Sequence, residues 1–161
     1  MKKLILLTAI ILCKTLFAQE GMTISISQDV KLATIGDKKR GYDAFTTNVT
    51  AKLLLQDDSG LSGGITYEYA DLQERYQRVF MYFGQGFDVL NMNLLFTGGY
   101  GLIIREGKTN ISYDADLILN IPLNERFYLN LNTQLVRRND LETPAFKISG
   151  FVGIAYTILK K

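Results

Sequence analysis

Past the first twenty or so residues, apolar and polar side chains alternate one for one through about eight successive segments. Side chains along a strand point to opposite faces in turn, so this period gives every segment one apolar and one polar side. A helix would need a period near 3.6, which these stretches lack. The segments run for about 10 to 15 residues, against about 5 to 6 for a soluble strand, and that length suits a tilted strand crossing a bilayer. The pattern therefore predicts a chain that closes on itself as a barrel, because a spanning sheet cannot leave an open edge in hydrocarbon.

The first segment, Met22 to Ala33, sets Met22, Ile24, Ile26, Val30 and Leu32 against Thr23, Ser25, Ser27, Asp29 and Lys31. The second spans Ala44 to Gln56, with Lys52 in its polar phase, and the third spans Leu61 to Ala70, with Glu68 in its polar phase. Between them Asp57-Asp58-Ser59-Gly60 has the composition of a tight turn. The fourth, Arg75 to Phe83, is the least regular, with Val79, Met81 and Phe83 opposing Arg78, Phe80 and Tyr82. The fifth runs from Leu90 to Ile104; the sixth, Asn110 to Ile121, carries Asp114 and Asp116 in its polar phase. Arg126 to Arg138 and Phe146 to Leu159, with Lys147 in the polar phase, complete the set.

The N-terminus stands apart. Lys2 and Lys3 precede an apolar run from Leu4 to Cys13, and Ala18 lies ahead of Gln19 and Glu20. A basic start, a short apolar stretch and a small residue at the scissile position make residues 1–18 a secretory signal, too short for a spanning helix. Lipoprotein processing at Cys13 fits poorly, because bulky Leu12 stands where a small residue is expected. The whole chain has 18 Lys+Arg and 16 Asp+Glu, and without the three lysines of the leader the remainder has 15 basic against 16 acidic residues. Nothing in that balance suggests a nucleic-acid surface. The single cysteine leaves with the leader, so residues 19–161 form one domain with neither a disulfide nor a free thiol.

Alternation alone does not say which face is outside, since a soluble lipocalin-like barrel turns its apolar face inward. Charge placement and strand length decide together. Asp29, Lys31, Lys52, Glu68, Arg78, Asp114, Asp116 and Lys147 all fall in the polar phase. Exposure to water would also produce that arrangement, so the spans of about 10 to 15 residues carry the remaining weight. A Lys or Arg on the lipid face near the midplane costs roughly 2 to 4 kcal/mol, so these eight are expected in the lumen as a paired network. Connections around Asp57 to Gly60, Gly84 to Asp88 and Pro122 to Glu125 are short, whereas Thr34 to Asp43 and Asn139 to Ala145 are longer, as periplasmic turns and outer loops would be. Phe45, Tyr67, Tyr69, Tyr113, Phe127, Phe146 and Tyr156 lie in the apolar phase toward strand ends, where an interfacial girdle sits. Glycines inside strands, among them Gly64, Gly99, Gly101 and Gly153, are expected to permit bulges and bends.

Signal, strand number, size and turn pattern together resemble the small eight-stranded outer-membrane barrels, the OmpA/OmpX-like group. Phe151-Val152-Gly153-Ile154-Ala155-Tyr156-Thr157-Ile158 is similar to the closing strand by which the insertion machinery recognises that group, although Leu159-Lys160-Lys161 follow where the group ends on an aromatic. The resemblance implies an all-β, eight-stranded antiparallel up-and-down transmembrane barrel in the bacterial outer membrane, a fold shared across unrelated roles. Eight strands leave room inside only for their own side chains, which argues against a pore and for a plugged lumen; a narrow ion path through Asp114, Asp116 and Lys52 is the alternative. Barrel enzymes of the outer membrane, by resemblance, use a histidine, and this chain has none. Ser112 and Ser149 thus have no base to activate them, and Asp114 with Asp116 lacks a third ligand for a common metal site. No catalytic residue, cofactor or metal is expected. The charged outer rim, with Lys38, Lys39, Arg40, Arg137 and Arg138 beside Glu142, is the expected surface for lipopolysaccharide phosphates or an extracellular protein partner. The chain is expected to act as a monomer.

Overall fold

The computed structural model describes residues 21–38, 41–72, 75–141 and 144–160. Eight antiparallel strands, each paired with its sequence neighbours, close into a barrel when the first pairs with the last. They are β1 (Gly21–Asp29), β2 (Asn48–Gln56), β3 (Leu61–Ala70), β4 (Tyr76–Val89), β5 (Met92–Arg105), β6 (Lys108–Pro122), β7 (Phe127–Arg138) and β8 (Ala145–Lys160). Antiparallel neighbours need only short connections, and the turns supply them with matching chemistry. At Asp57–Gly60 the aspartate Oδ1 accepts from the Leu61 N–H at 2.9 Å, and Gly60 adopts φ +82°. Both Glu106-Gly107 and Leu90-Asn91 have two consecutive positive φ angles, the conformation of a hairpin turn whose twist matches the flanking strands.

Four boundaries depart from the pattern-based expectation. β1 stops at Asp29, because its carboxylate accepts from the Leu32 N–H at 2.9 Å and caps a short helix, α1 (Val30–Thr34). β2 begins only at Asn48; Phe45, with φ 66° and 87% exposure, belongs to the preceding loop rather than to a strand girdle. β4 does not end at Phe83 but runs to Val89, so Gly84 to Asp88 is strand, and Leu90, expected in the fifth segment, is turn. The charged stretch Arg105 to Lys108 leaves only Glu106-Gly107 between β5 and β6, as tight as the turns at the opposite end, so only the connection after β1 stands out in length, those after β3 and β7 being of similar size.

The side-chain phase is as alternation predicts, and β4 resolves with its even positions inward: Phe80 and Tyr82 are 0% and 1% exposed, whereas Val79 is 45% exposed. Leu94, Leu117 and Ile154 lie in the outward phase, as do Ile26, Phe96, Tyr113 and Ile148. A soluble barrel would bury this set; here it is the outer wall.

Candidate functional site: the barrel interior and its rims

The interior is built in layers. Near the loop-bearing rim Ala70, Tyr76, Phe80 and Ile103 form one apolar cluster, and toward the opposite rim Leu54, Tyr82, Leu95 and Ile118 form another. Phe80 and Tyr82 fit because their register partners are small: Gly101 and Thr66 flank Phe80, and Gly99 and Gly64 flank Tyr82. A Cβ at Gly99 would collide with the Met81 carbonyl and the Asp114 carboxylate, and one at Gly101 with the Val79 carbonyl. Gly99 and Gly101 therefore permit close strand contact, whereas Gly64, whose Cβ would meet the Tyr82 ring and hydroxyl, makes room for a lumenal side chain. The barrel's register shift lies elsewhere, at Met22/Thr23 against β8.

Between the clusters sit the charges. Lys52 Nζ donates to Asp116 Oδ2, both side chains being nearly inaccessible. Arg78 Nη2 pairs with Glu68 Oε2 at 2.8 Å and lies 3.8 Å from Asp114 Oδ2, while Tyr76 Oη donates to Glu68 Oε1 at 2.6 Å. The guanidinium of Arg78 stacks on the Phe80 ring at 4.1 Å, so one side chain serves both a carboxylate pair and an aromatic wedge. A row across β5, β6 and β7 places Thr97, Asp116 and Gln134 side by side, each buried and each with a polar atom free of any hydrogen-bond partner.

The eight expected lumenal charges divide as follows. Lys52, Glu68, Arg78, Asp114 and Asp116 come together in one buried cluster. Asp29 is buried at the mouth as the cap of α1, and Lys147 is half-buried on β8. Lys31 is a correction: it stands on α1, not on a strand, with a 60% exposed side chain paired to Asp37 at 2.8 Å. Helix capping by Asp29 ended the strand two residues too early for Lys31 to turn inward.

The rim residues divide too. Lys38 is exposed, whereas Lys39, Arg40 and Glu142 lie outside the described residues, as does the expected signal 1–18. Arg137 is exposed on the outer wall, its guanidinium 5.8 Å from the Phe146 ring centre. Arg138, expected in the loop, is instead buried at the end of β7, where its fork grips Asp140 through bonds of 2.7 and 2.6 Å and stacks on Tyr76 at 4.0 Å. Arg105 joins the same carboxylate at 3.3 Å. Burial alone would raise the Asp140 carboxyl, but the hydrogen bonds and charge of Arg138, with Arg105 behind it, outweigh burial and hold it below the usual aspartate range.

Sequence reasoning missed the apolar lumen residues Leu54, Leu95, Ile103, Ile118 and Val136. Their signal is a break in alternation, as in Leu53-Leu54-Leu55, Leu94-Leu95-Phe96 and Leu117-Ile118-Leu119. At the rim of the short turns a cup of about 980 Å³ opens, lined by Gln56, Asp88, Asn93, Asn120 and Tyr128, with Leu54 shared between its wall and the inner apolar cluster. Among the described residues no group of three or more His, Cys, Asp or Glu side chains is placed to hold a metal ion.

No protein-family model and no curated protein matches the sequence. Among solved structures, the chain is similar to the Yersinia pestis outer membrane protein Ail in a phospholipid bilayer nanodisc, with a TM-score of 0.59 at 10% identity over 87% of this chain and 100% of that one. The fold is thus that of a small eight-stranded outer-membrane barrel.

Proposed function

We propose that this chain is an integral, non-catalytic outer-membrane barrel, exported by a signal removed after Ala18, whose filled lumen conducts nothing and whose outer rim is its working surface. The observation that carries this reading is sidedness: the charged cluster of Lys52, Glu68, Arg78, Asp114 and Asp116 faces inward while Leu117, Ile154 and their neighbours face out. Water would favour the reverse, since an apolar wall of this extent gains roughly 25 cal/mol for each Å² withdrawn from it.

The dimensions agree. Arg126 and Arg137 bracket the outward stretch Leu129, Leu131, Thr133 and Leu135 on β7, eleven residues apart. At about 3.4 Å per residue and a tilt of about 40°, that separation spans roughly 28 Å along the barrel axis, close to the apolar band of about 25 Å of such barrels. The long connection after β1 then faces outward with those after β3 and β7, and the short turns lie toward the periplasm. In this arrangement β8 is the strand offered to the insertion machinery, lipopolysaccharide surrounds the outer rim, and the short loops give a monomer only a small surface for an extracellular protein.

Two measurements on the exported protein test the reading together. Extracted in detergent, it migrates at different positions on a gel before and after boiling, and in planar bilayers it gives no steady conductance. Discrete ion-selective steps would overturn the closed lumen, and recovery in the periplasmic fraction would replace the membrane barrel by a soluble ligand-binding one.

A further inference from the structure

The turn between β6 and β7 is built to aim one side chain. Asn124 Oδ1 accepts from the backbone N–H groups of Arg126 at 2.9 Å and of Phe127 at 2.8 Å, while the Thr157 N–H donates to the Arg126 carbonyl at 2.9 Å. Held on both sides, Arg126 sends an exposed guanidinium to the outer wall, where Nη1 donates to the Tyr156 hydroxyl at 3.2 Å. Phe127 and Tyr156 pack with ring centres 4.9 Å apart, and exposed Ile154 and Ile158 continue the wall on β8.

What sets this arginine apart is its company. Arg75 pairs with Asp71, Arg78 with Glu68, and Arg105 and Arg138 with Asp140. Among the described residues Arg126 and Arg137 have no carboxylate within ion-pair distance; Arg137 donates to the Asn139 amide oxygen at 3.2 Å, whereas Arg126, at the short-turn rim, has a neutral phenol as its partner. A guanidinium presents a planar fork of donors that fits a phosphate, and the phenol hydroxyl is a second polar group beside it. Paired aromatic rings mark the level at which headgroups meet hydrocarbon.

We propose that Arg126 and Tyr156 hold the phosphate of a phospholipid in the leaflet on the short-turn side, with its acyl chains lying along Ile154 and Ile158. The proposal rests on the membrane-spanning reading above. A free phosphate would use the cation but not the apolar wall next to it, and the juxtaposition of the two favours the lipid.

The test is native mass spectrometry of the exported protein released from detergent, titrated with dioleoylphosphatidylglycerol. The wild type retains a bound lipid, and Arg126→Gln raises the concentration for half-occupancy about tenfold, the scale of one charge-assisted hydrogen bond. Tyr156→Phe, which keeps the ring, raises it less, and Arg126→Lys restores most of the loss. Each variant is first checked for the gel shift on boiling, and the Tyr156→Phe result stands if Arg126→Gln fails to fold. Equal occupancy in wild type and both variants overturns the proposal, as does equally tight retention of dioleoylglycerol, which lacks the phosphate. Displacement of the lipid by equimolar glycerol 3-phosphate would assign the site to a soluble phosphate instead. A wild type that neither shifts on boiling nor enters vesicles would instead break the membrane reading itself.

Discussion

Lys52 and Asp116 illustrate what a single buried charge demands of its surroundings. Each is nearly inaccessible, and each is tolerable in the lumen because the other is there. Removing one partner leaves the other uncompensated, which costs about 3 to 5 kcal/mol, whereas replacing both by apolar side chains is often neutral. Lys52→Met is therefore expected to lower the urea midpoint for unfolding from vesicles by an amount equivalent to about 3 kcal/mol or more, with Lys52→Met/Asp116→Leu recovering most of it. An unchanged midpoint in the single variant would show the pair to be solvated. The glycines act at the same scale by a different route: Gly99 and Gly101 let the β4 backbone approach closely, and Gly64 leaves the space that the Tyr82 ring enters, so their role lies in what stands opposite them.

At the scale of the element, the loop after β7 is fastened by Asp140, gripped by Arg138 from its own strand and by Arg105 from β5. The Asp140 carboxyl is depressed below its ordinary value by these arginines. The folded state thus binds its proton less readily than the unfolded chain does, and the resulting stabilisation is present above the unfolded aspartate pKa and lost as pH falls through the lower folded value. Amide protection at 139–141, taken relative to the intrinsic exchange rate at each pH, is expected to fall selectively as pH drops below about 4, while Asp140→Asn shows low protection already at neutral pH and loses that dependence. Protection in the wild type that does not respond to acid in this way would remove the latch.

Elements were legible in the sequence to the extent that alternation governed them. Strand number and the inward phase of Lys52, Glu68, Arg78, Asp114 and Asp116 follow from period two, and the up-and-down pairing order from the short turns and the resemblance to small outer-membrane barrels. The ends were harder, because local hydrogen bonding competes with pattern there. Asp29 reads as one more polar strand residue until its carboxylate is seen capping α1, and Lys31 leaves the lumen with it. Gly84 and Gly86 read as a turn although they continue β4, and the reversal falls instead at Leu90-Asn91, a pair without the usual glycine. Arg138 looks like a loop cation beside Arg137, and only the placement of Asp140 turns it inward.

The whole molecule is a wall with two solvents in view. Inside, two apolar clusters bracket a compact set of ion pairs; outside, an apolar band runs between Arg126 and Arg137 with aromatics near both limits. That hydrocarbon wets this band is the central claim, and β6 tests it most directly, because inward Asp114, Asp116 and Ile118 alternate there with outward Ala115, Leu117 and Leu119. Residues 19–161 contain no cysteine, so a nitroxide can be placed at one site at a time from 114 to 119. In vesicles, relaxation by dissolved oxygen is expected to be high at 115, 117 and 119 and low at 114, 116 and 118, with a water-soluble nickel chelate reaching none of the odd positions. Ready access of the chelate to 115, 117 and 119 would mean that water covers the outer wall, and would contradict the account.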